Sequence, residues 1–473
     1  MRKNVVLVVP QKTWASKDHL PSLGLAYIGA VLEGEGYEVS ILDCMVMDHS
    51  TEEAAERIAE RNPDAVGLTT TSHSRFWCID LAKEIKRRSR PFLFTGGPHF
   101  GLTAVDALTN VLELDAIVKG EGEETAKDLL KACFSKSDMG TVRGIFFRDH
   151  DGCIIETPDR PPVSDLNALP DPGWHLFDLN KYPARLEGFQ DGRAIGVMSS
   201  RGCPFGCVFC ANNAFWKRDF RKLRPEKFVD QLEHLHREYG YRDFDFWDDT
   251  FTVQESHARA ICDMIIERGF DFRLYLRARV DRVSKKILKK IRTAGGVAIG
   301  FGIESGSQRV LDKIAKGITI DQARLAVKQS IDLGYIVKAF FMTSLPGEKL
   351  EDVEKTMRFV DELNAYGGDR IHAGYGCPTT IYPGTQVEAI ARKSGLLPRN
   401  FSWNRPFESK KMKALGLNPA LPHFENASPT IEEIFEFRNT RALPPQIRPA
   451  EKHQGILAMV RQKAKSLFSS SKT

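Results

Sequence analysis

Blocks of apolar and polar positions alternate regularly from the first residues of the chain. Val5 to Val9 is a continuous apolar run closed by Pro10, the pattern of a strand buried on both faces. Leu23 to Leu32 predicts a helix stopped by Gly34 and Gly36, and Glu38 to Leu42 a strand ending at Asp43. Thr51 to Arg61 and Phe76 to Arg88 carry helical spacing, and Ala65 to Thr69, Pro91 to Thr95 and Ala116 to Lys119 read as further strands. Strands and helices in strict turn predict an α/β domain over residues 1–140, a doubly wound parallel sheet with ligand loops at the strand C-termini.

Residues 141–189 hold Pro158, Pro161, Pro162, Pro170 and Pro172. A proline-dense stretch builds neither a central strand nor a helix interior, so the expectation is a connecting segment. From Ala194 the alternation restarts, with strand candidates at 194–199, 243–247, 272–277, 298–303, 337–343 and 370–376. Helical stretches such as Arg224 to Tyr239 and Ile320 to Leu333 lie between them. Six such units over 190–400 predict a partial (β/α)6 barrel, TIM-like but short of eight strands. The pattern weakens over 401–473, read as a C-terminal helical region with a basic tail from Glu451 and a frayed end.

The chain has 473 residues with 42% hydrophobic and 27% charged side chains, the balance of an ordinary globular protein. Its net charge of +5 is small, and basic residues are mixed with acids, which argues against a nucleic-acid partner. No stretch is apolar enough to span a bilayer. Met1-Arg2-Lys3-Asn4 runs straight into the first apolar block without signal-peptide architecture, so a cytoplasmic protein is expected. Gly455 to Phe468 mixes Leu457, Met459, Val460 and Leu467 with Arg461, Lys463 and Lys465, compatible with touching an anionic membrane surface or with a docked or frayed helix.

Nine cysteines are present and six are scattered singly, unlike a disulfide scaffold. The other three lie in Arg201-Gly202-Cys203-Pro204-Phe205-Gly206-Cys207-Val208-Phe209-Cys210, directly after the first barrel strand. Thiolates suit iron–sulfur clusters, and a purely redox [4Fe–4S] cluster takes four of them. Three local cysteines leave one iron open to a small molecule with an amine and a carboxylate. Zinc would want a fourth Cys or His close by, usually in paired halves, and none is adjacent.

Cys-x₃-Cys-x₂-Cys with an aromatic before the third Cys resembles the radical S-adenosylmethionine (SAM) superfamily. The resemblance implies that Cys203, Cys207 and Cys210 hold a cluster whose open iron binds SAM, and that one electron cleaves SAM to a 5′-deoxyadenosyl radical. It implies an external one-electron reductant of flavodoxin or ferredoxin type and a small-molecule or natural-product substrate. It places Asp248 or Asp249 at the SAM amine, and Glu304, followed by Ser305, near SAM. By residue chemistry alone Asp249 serves equally as a helix cap. Arg277 and Arg279 can pair with the SAM carboxylate or salt-bridge Asp281.

The loops of the first domain carry a second pattern. Thr69-Thr70-Thr71-Ser72, Gly96-Gly97-Pro98-His99 and Gly120-Glu121-Gly122-Glu123-Glu124-Thr125 follow successive strands. Strand-end glycines (Gly96, Gly97, Gly120, Gly122) let a large ligand approach the backbone, and hydroxyls such as those of Thr70 and Ser72 can line one face of it. With Pro21-x-x-Gly24-Leu25-x-Tyr27-Ile28, this is similar to the Rossmann-like cobalamin (B12)-binding domain fused to many radical SAM enzymes. The Asp-x-His-x-x-Gly motif that supplies an axial histidine elsewhere is missing: Asp18-His19 and Asp48-His49 do not fit its spacing. The resemblance therefore implies cobalamin without a histidine below cobalt, and His99 reads as a turn residue.

Together these imply cobalamin-dependent radical SAM methylation of an unactivated carbon. Related architectures close or rearrange rings, including an oxygen-independent porphyrin cyclisation. A carrier or sensor of cobalamin or cluster is the non-enzymatic alternative. Tyr375, Cys377 and Tyr382 follow the sixth strand on the expected substrate side, with Cys377 either a hydrogen donor or a small buried hydrophobe.

Overall fold

The computed structural model describes residues 2–11 and 19–441. The first sheet consists of β1 (Asn4–Val9), β2 (Glu38–Asp43), β3 (Ala65–Thr69), β4 (Phe92–Gly96), β5 (Ala116–Val118), β6 (Ile145–Arg148) and β7 (Ile154–Glu156), in the spatial order β2-β1-β3-β4-β5-β6-β7. β1 lies in parallel register between β2 and β3, Val5 opposite Val39 and Ala65. Val5, Val6, Leu7 and Val8 are buried on both faces, which is why they form one unbroken apolar run. The helices before β2 and β3, Leu23–Gly34 and Thr51–Glu60, start at Ser22 and Ser50, whose hydroxyls accept from Leu25 and Glu53 amides, the usual N-cap solution.

β6 and β7 add to the first sheet as an antiparallel hairpin, although both lie in the stretch expected to be only a connector. The run Ile145-Phe146-Phe147 is apolar because it covers the sheet's edge, and its prolines come later. Only residues after Thr157 run as irregular chain with short 3₁₀ turns.

The second sheet consists of β8 (Ala194–Val197), β11 (Asp243–Phe246), β12 (Arg273–Ala278), β13 (Gly296–Glu304), β14 (Ile336–Thr343) and β15 (Ile371–Ala373), in the order β15-β14-β13-β12-β11-β8. All neighbours in it are parallel. It is the expected six-stranded partial barrel, and Cys377–Pro378 adds a short pairing beside the end of β14. The two-residue strands β9 (Ser200–Arg201) and β10 (Arg221–Lys222) pair antiparallel and tie off the loop between them. Leu186, Ala194, Tyr275 and Ala298, with Leu20 and Phe189 packed on them, form an apolar cluster across the linker and the early parts of β8, β12 and β13.

Of the helical region expected after residue 400, the described part, residues 401–441, is mostly irregular, with helices at Lys410–Ala414 and Ile431–Arg441. Trp403 and Phe424 pack with Ile381, Val387, Ala391 and Leu397 against Val208 and Phe209 of the cysteine loop. Arg75 of the first domain, fully buried, donates to the carbonyls of Ser72, Trp403 and Ala420. The segment Gly455 to Phe468 lies outside the described residues. No helix among the described residues is long and apolar enough to cross a membrane.

Candidate active site

The cysteine loop begins where β9 ends. Gly202 makes the turn at φ +86°, and a Cβ there would stand 1.8 Å from the Asp219 carbonyl, so only glycine fits. Cys207 is buried, and Cys203 and Cys210 are half-buried. Burial pushes the Cys210 thiol to about 11 and also raises Cys203. Such thiols ionise only when a cation draws out the proton. Among the described residues no three His, Cys, Asp or Glu side chains converge closely enough to hold a single ion. A zinc site gathers its ligands about one centre at about 2.0–2.3 Å, whereas a [4Fe–4S] cluster takes one thiolate per iron, so its ligands stand further apart. Arg279 flanks the loop, with its guanidinium 3.7 Å from the Phe205 ring centroid and Nη1 3.9 Å from Cys207 Sγ.

The neighbouring acids have different environments. Asp248 is fully buried and accepts from the Ser199 amide (3.0 Å), Ser199 Oγ (2.6 Å) and Ser200 Oγ (2.5 Å). Its carboxylate is satisfied by Ser199 and by Ser200 of β9, so it braces the scaffold. Asp249 accepts from Asn212 Nδ2 through Oδ1, while its Oδ2 is buried without a partner. Burial, with the charge of Asp248, raises the Asp249 carboxyl to about 7. It also lies within electrostatic reach of Cys203 and Cys210. An unpaired buried carboxylate oxygen near the Cys203 and Cys210 thiols fits an incoming ammonium group.

Glu304 ends β13 at φ +73°, beyond a register shift against β14, and accepts from Lys316 Nζ at 2.8 Å. A Cβ on Gly302 would meet Glu304 Oε1 at 2.6 Å, so this glycine makes room for the ion pair. Ser305 is turned into the scaffold, bonded to Thr356 Oγ1 and the Ser307 amide, and offers nothing to a ligand. Arg277 pairs with Asp245 at 2.5 Å and with the Phe246 carbonyl, so its guanidinium is taken up across β11 and β12. Arg279 takes the structural alternative, with its Nε 2.9 Å from Asp281. Asn212 and Lys316 were missed because neither sits in a recognisable spacing, and Lys316 is 12 residues from its partner.

A cavity of about 620 Å³ lies between the first sheet and the barrel, a volume typical of ligand sites. Gly96, Gly97, Gly120 and Gly122 line it, as do Gly24, Tyr27 and Ile28. Across from them stand Met198, Arg201, Trp216, Asp245 and Trp247 of the barrel. A Cβ on Gly24 or Gly120 would meet no atom within 4 Å, which is the open approach a large ligand requires. Gly97 has a different reason: at φ +88° its Cβ would stand 2.6 Å from the Thr70 carbonyl.

Two of the expected hydroxyls do not line the cavity. Thr70 donates to the Gly96 carbonyl at 2.5 Å, and Ser72 is bonded to His99 Nδ1 at 2.9 Å; both are buried in strand-end structure. Thr69, Thr71 and Ser74 line it instead. His99 is wholly buried against Trp403 and burial pulls it down to about 3, so it stays neutral. His19, set aside for its spacing, does stand on the cavity wall, with both ring nitrogens buried and without a partner among the described residues. Tyr375 and Tyr382 are tied to Asp361 and His73, and Cys377 is exposed.

Residues 197–360 match the model of the radical SAM superfamily, and residues 15–130 that of the B12 binding domain. An uncharacterized methyltransferase of Pyrococcus horikoshii, PH0819, is 33% identical over 91% of this chain and 95% of its own length. The anaerobic magnesium-protoporphyrin IX monomethyl ester cyclase of Rubrivivax gelatinosus is 30% identical over 73% of this chain and 62% of its own. Among solved structures, the radical SAM methyltransferase TsrM of Kitasatospora setae, with cobalamin and a [4Fe–4S] cluster bound, superposes with a TM-score of 0.68 at 18% identity, covering 83% of this chain and 76% of its own. With the three-cysteine loop on a six-stranded barrel and the glycine-lined cavity above it, these matches establish that the chain belongs to the radical SAM superfamily, in the branch that carries an N-terminal B12-binding domain.

Proposed function

We propose that the protein is a cobalamin-dependent radical SAM methyltransferase acting on an unactivated carbon of a small molecule. The observation that carries this reading is the shared cavity, walled on one side by the glycine loops and on the other by Arg201, Trp216 and Asp245 of the barrel. A ligand held by the first domain there faces chemistry generated by the second. The residues fit both groups: Cys203, Cys207 and Cys210 would hold the cluster, and the loops at Gly24, Gly96 and Gly120 would hold cobalamin. Bound in place, the cluster with SAM supplies a 5′-deoxyadenosyl radical and cobalamin a transferable methyl group.

The protein's own part is to position and to exclude water. Asp249 Oδ2 supplies a desolvated acceptor for the SAM ammonium, and Asn212 fixes the carboxylate plane through Oδ1. The Glu304–Lys316 pair, with both side chains under 10% exposed, offers a fixed dipole at the end of β13. Electrons come from outside, through a one-electron carrier protein.

A cobalamin-dependent methyltransferase would use SAM both as radical source and as methyl donor, and the second use would leave S-adenosylhomocysteine. Reconstituted protein with reduced cobalamin and SAM is expected to form S-adenosylhomocysteine stoichiometric with its cobalamin, without added substrate. Cobalamin-free protein should form none. A cyclase reading predicts 5′-deoxyadenosine alone, and that outcome in the cobalamin-loaded protein would replace methylation with ring closure.

A further inference from the structure

Two glutamates of the Gly120-Glu121-Gly122-Glu123 loop bury their side chains against the start of the cysteine loop. Glu121 Oε1 accepts from Arg201 Nη1 at 2.7 Å, and Glu123 Oε1 from Arg201 Nη2 at 2.6 Å. The other Glu121 oxygen accepts from Arg221 Nη1 at 2.8 Å and from the Val163 amide at 2.6 Å. All four charged side chains are under 10% exposed. The guanidiniums also stack: Arg201 lies 5.1 Å from the Tyr27 ring, and Arg221 5.7 Å from the Trp216 ring.

Two arginines and two glutamates balance in charge, so the network carries no net charge into the interior. Burial opposes ionisation of Glu121, but the Arg221 hydrogen bond and the Arg201 charge outweigh it and hold its carboxyl below the usual range. A guanidinium bridging two carboxylates is a geometrically fixed fork that lysine cannot reproduce. Buried ion pairs are weak sources of stability but strict about geometry.

The placement gives the network its meaning. Arg201 is the last residue of β9, two positions before Cys203, and β10, which holds Arg221, closes the same loop. Gly120 and Gly122, which flank Glu121, line the cavity along with Arg201 itself. We propose that Arg201 is a positioning residue: clamped by Glu121 and Glu123, it fixes the spacing between the cysteine loop and the glycine loop, and hence between the two cofactors they hold. The cofactor part of this inference rests on the function proposed above.

The test uses the full chain with Glu123→Gln, which keeps a hydrogen-bonding partner for Arg201 while removing one charge, and with Arg201→Gln. Hydrogen exchange in cofactor-free protein should rise on the order of tenfold in residues 120–124 and 200–204 together. In protein carrying both groups, Glu123→Gln should keep wild-type iron and cobalamin. Its cluster–cob(II)alamin distance distribution by pulsed electron paramagnetic resonance should broaden from the single narrow distance of the wild type. Faster exchange confined to the substituted loop, or an unchanged distance distribution, overturns the proposal. If Arg201→Gln does not fold, Glu123→Gln decides alone. If the wild type takes up no cobalamin, the functional reading fails, and hydrogen exchange still decides whether the two loops are clamped.

Discussion

Asp249→Asn tests the central acid of the barrel with a sign that can be worked out in advance. In the cofactor-free fold the carboxyl is raised from 3.8 to about 7, first by burial and then by Asp248. The unfolded chain ionises at the lower value, so the folded state holds the extra proton between the two. Stability contributed by the protonated form is therefore complete below pH 3.8 and lost as pH rises to about 7. At 1.36 kcal/mol per pH unit, ionised Asp249 costs the cofactor-free fold about 2–4 kcal/mol above pH 7, the lower figure allowing for its partial solvent contact. Asparagine is isosteric, keeps a partner for Asn212 and carries no charge. The variant should gain on wild type by about 2 kcal/mol between pH 5 and pH 8, roughly 4–8 °C in Tm for a unit of this size. Thermal denaturation of cluster-free protein at the two pH values measures it. Parallel Tm curves for variant and wild type across that range would refute the reasoning. With cluster restored, the same variant should bind SAM more weakly, since the ammonium loses its anionic acceptor.

Three further outcomes follow from the geometry. Cys203→Ala, Cys207→Ala and Cys210→Ala should each lose the cluster and all SAM cleavage, read as iron content and 5′-deoxyadenosine; full iron in any of them would remove that thiol from the ligand set. Glu304→Gln should keep the cluster but weaken SAM binding by about 1.5–3 kcal/mol, the worth of a charged hydrogen bond, measured by equilibrium binding under anaerobic conditions. Gly97→Ala should destabilise the first domain by at least about 1–2 kcal/mol from the left-handed backbone alone, with cobalamin retention falling as Thr70 is displaced; unchanged Tm and retention would show that the loop adapts freely.

Most strands were legible because they are buried on both faces. Val5 to Val9 is an unbroken apolar run and Ala65 to Thr69 is apolar up to its last residue, and the structure extends them by at most a residue. The hairpin of β6 and β7 was not legible, since a dense run of prolines close behind it dominated the local signal. Within the site, sequence marked the correct loops and could not say which side chain turns inward. Thr69 and Thr71 line the cavity while Thr70 does not, a matter of one hydrogen bond to Gly96 from the next strand. Likewise Asp248 and Asp249 differ only in that Ser199 and Ser200, 49 and 48 residues away, satisfy the first. Long-range partners of this kind leave no local pattern. The same holds for Arg201, whose acids lie 80 and 78 residues earlier.

The most direct measurement of the account is the cofactor content and SAM chemistry of protein purified anaerobically from cells supplied with cobalamin, then given SAM and a one-electron reductant. The account predicts one [4Fe–4S] cluster and one cobalamin retained per chain, and 5′-deoxyadenosine released. A chain that cleaves SAM but takes up no cobalamin under any supply would contradict it, because the glycine-lined cavity would then serve some other ligand.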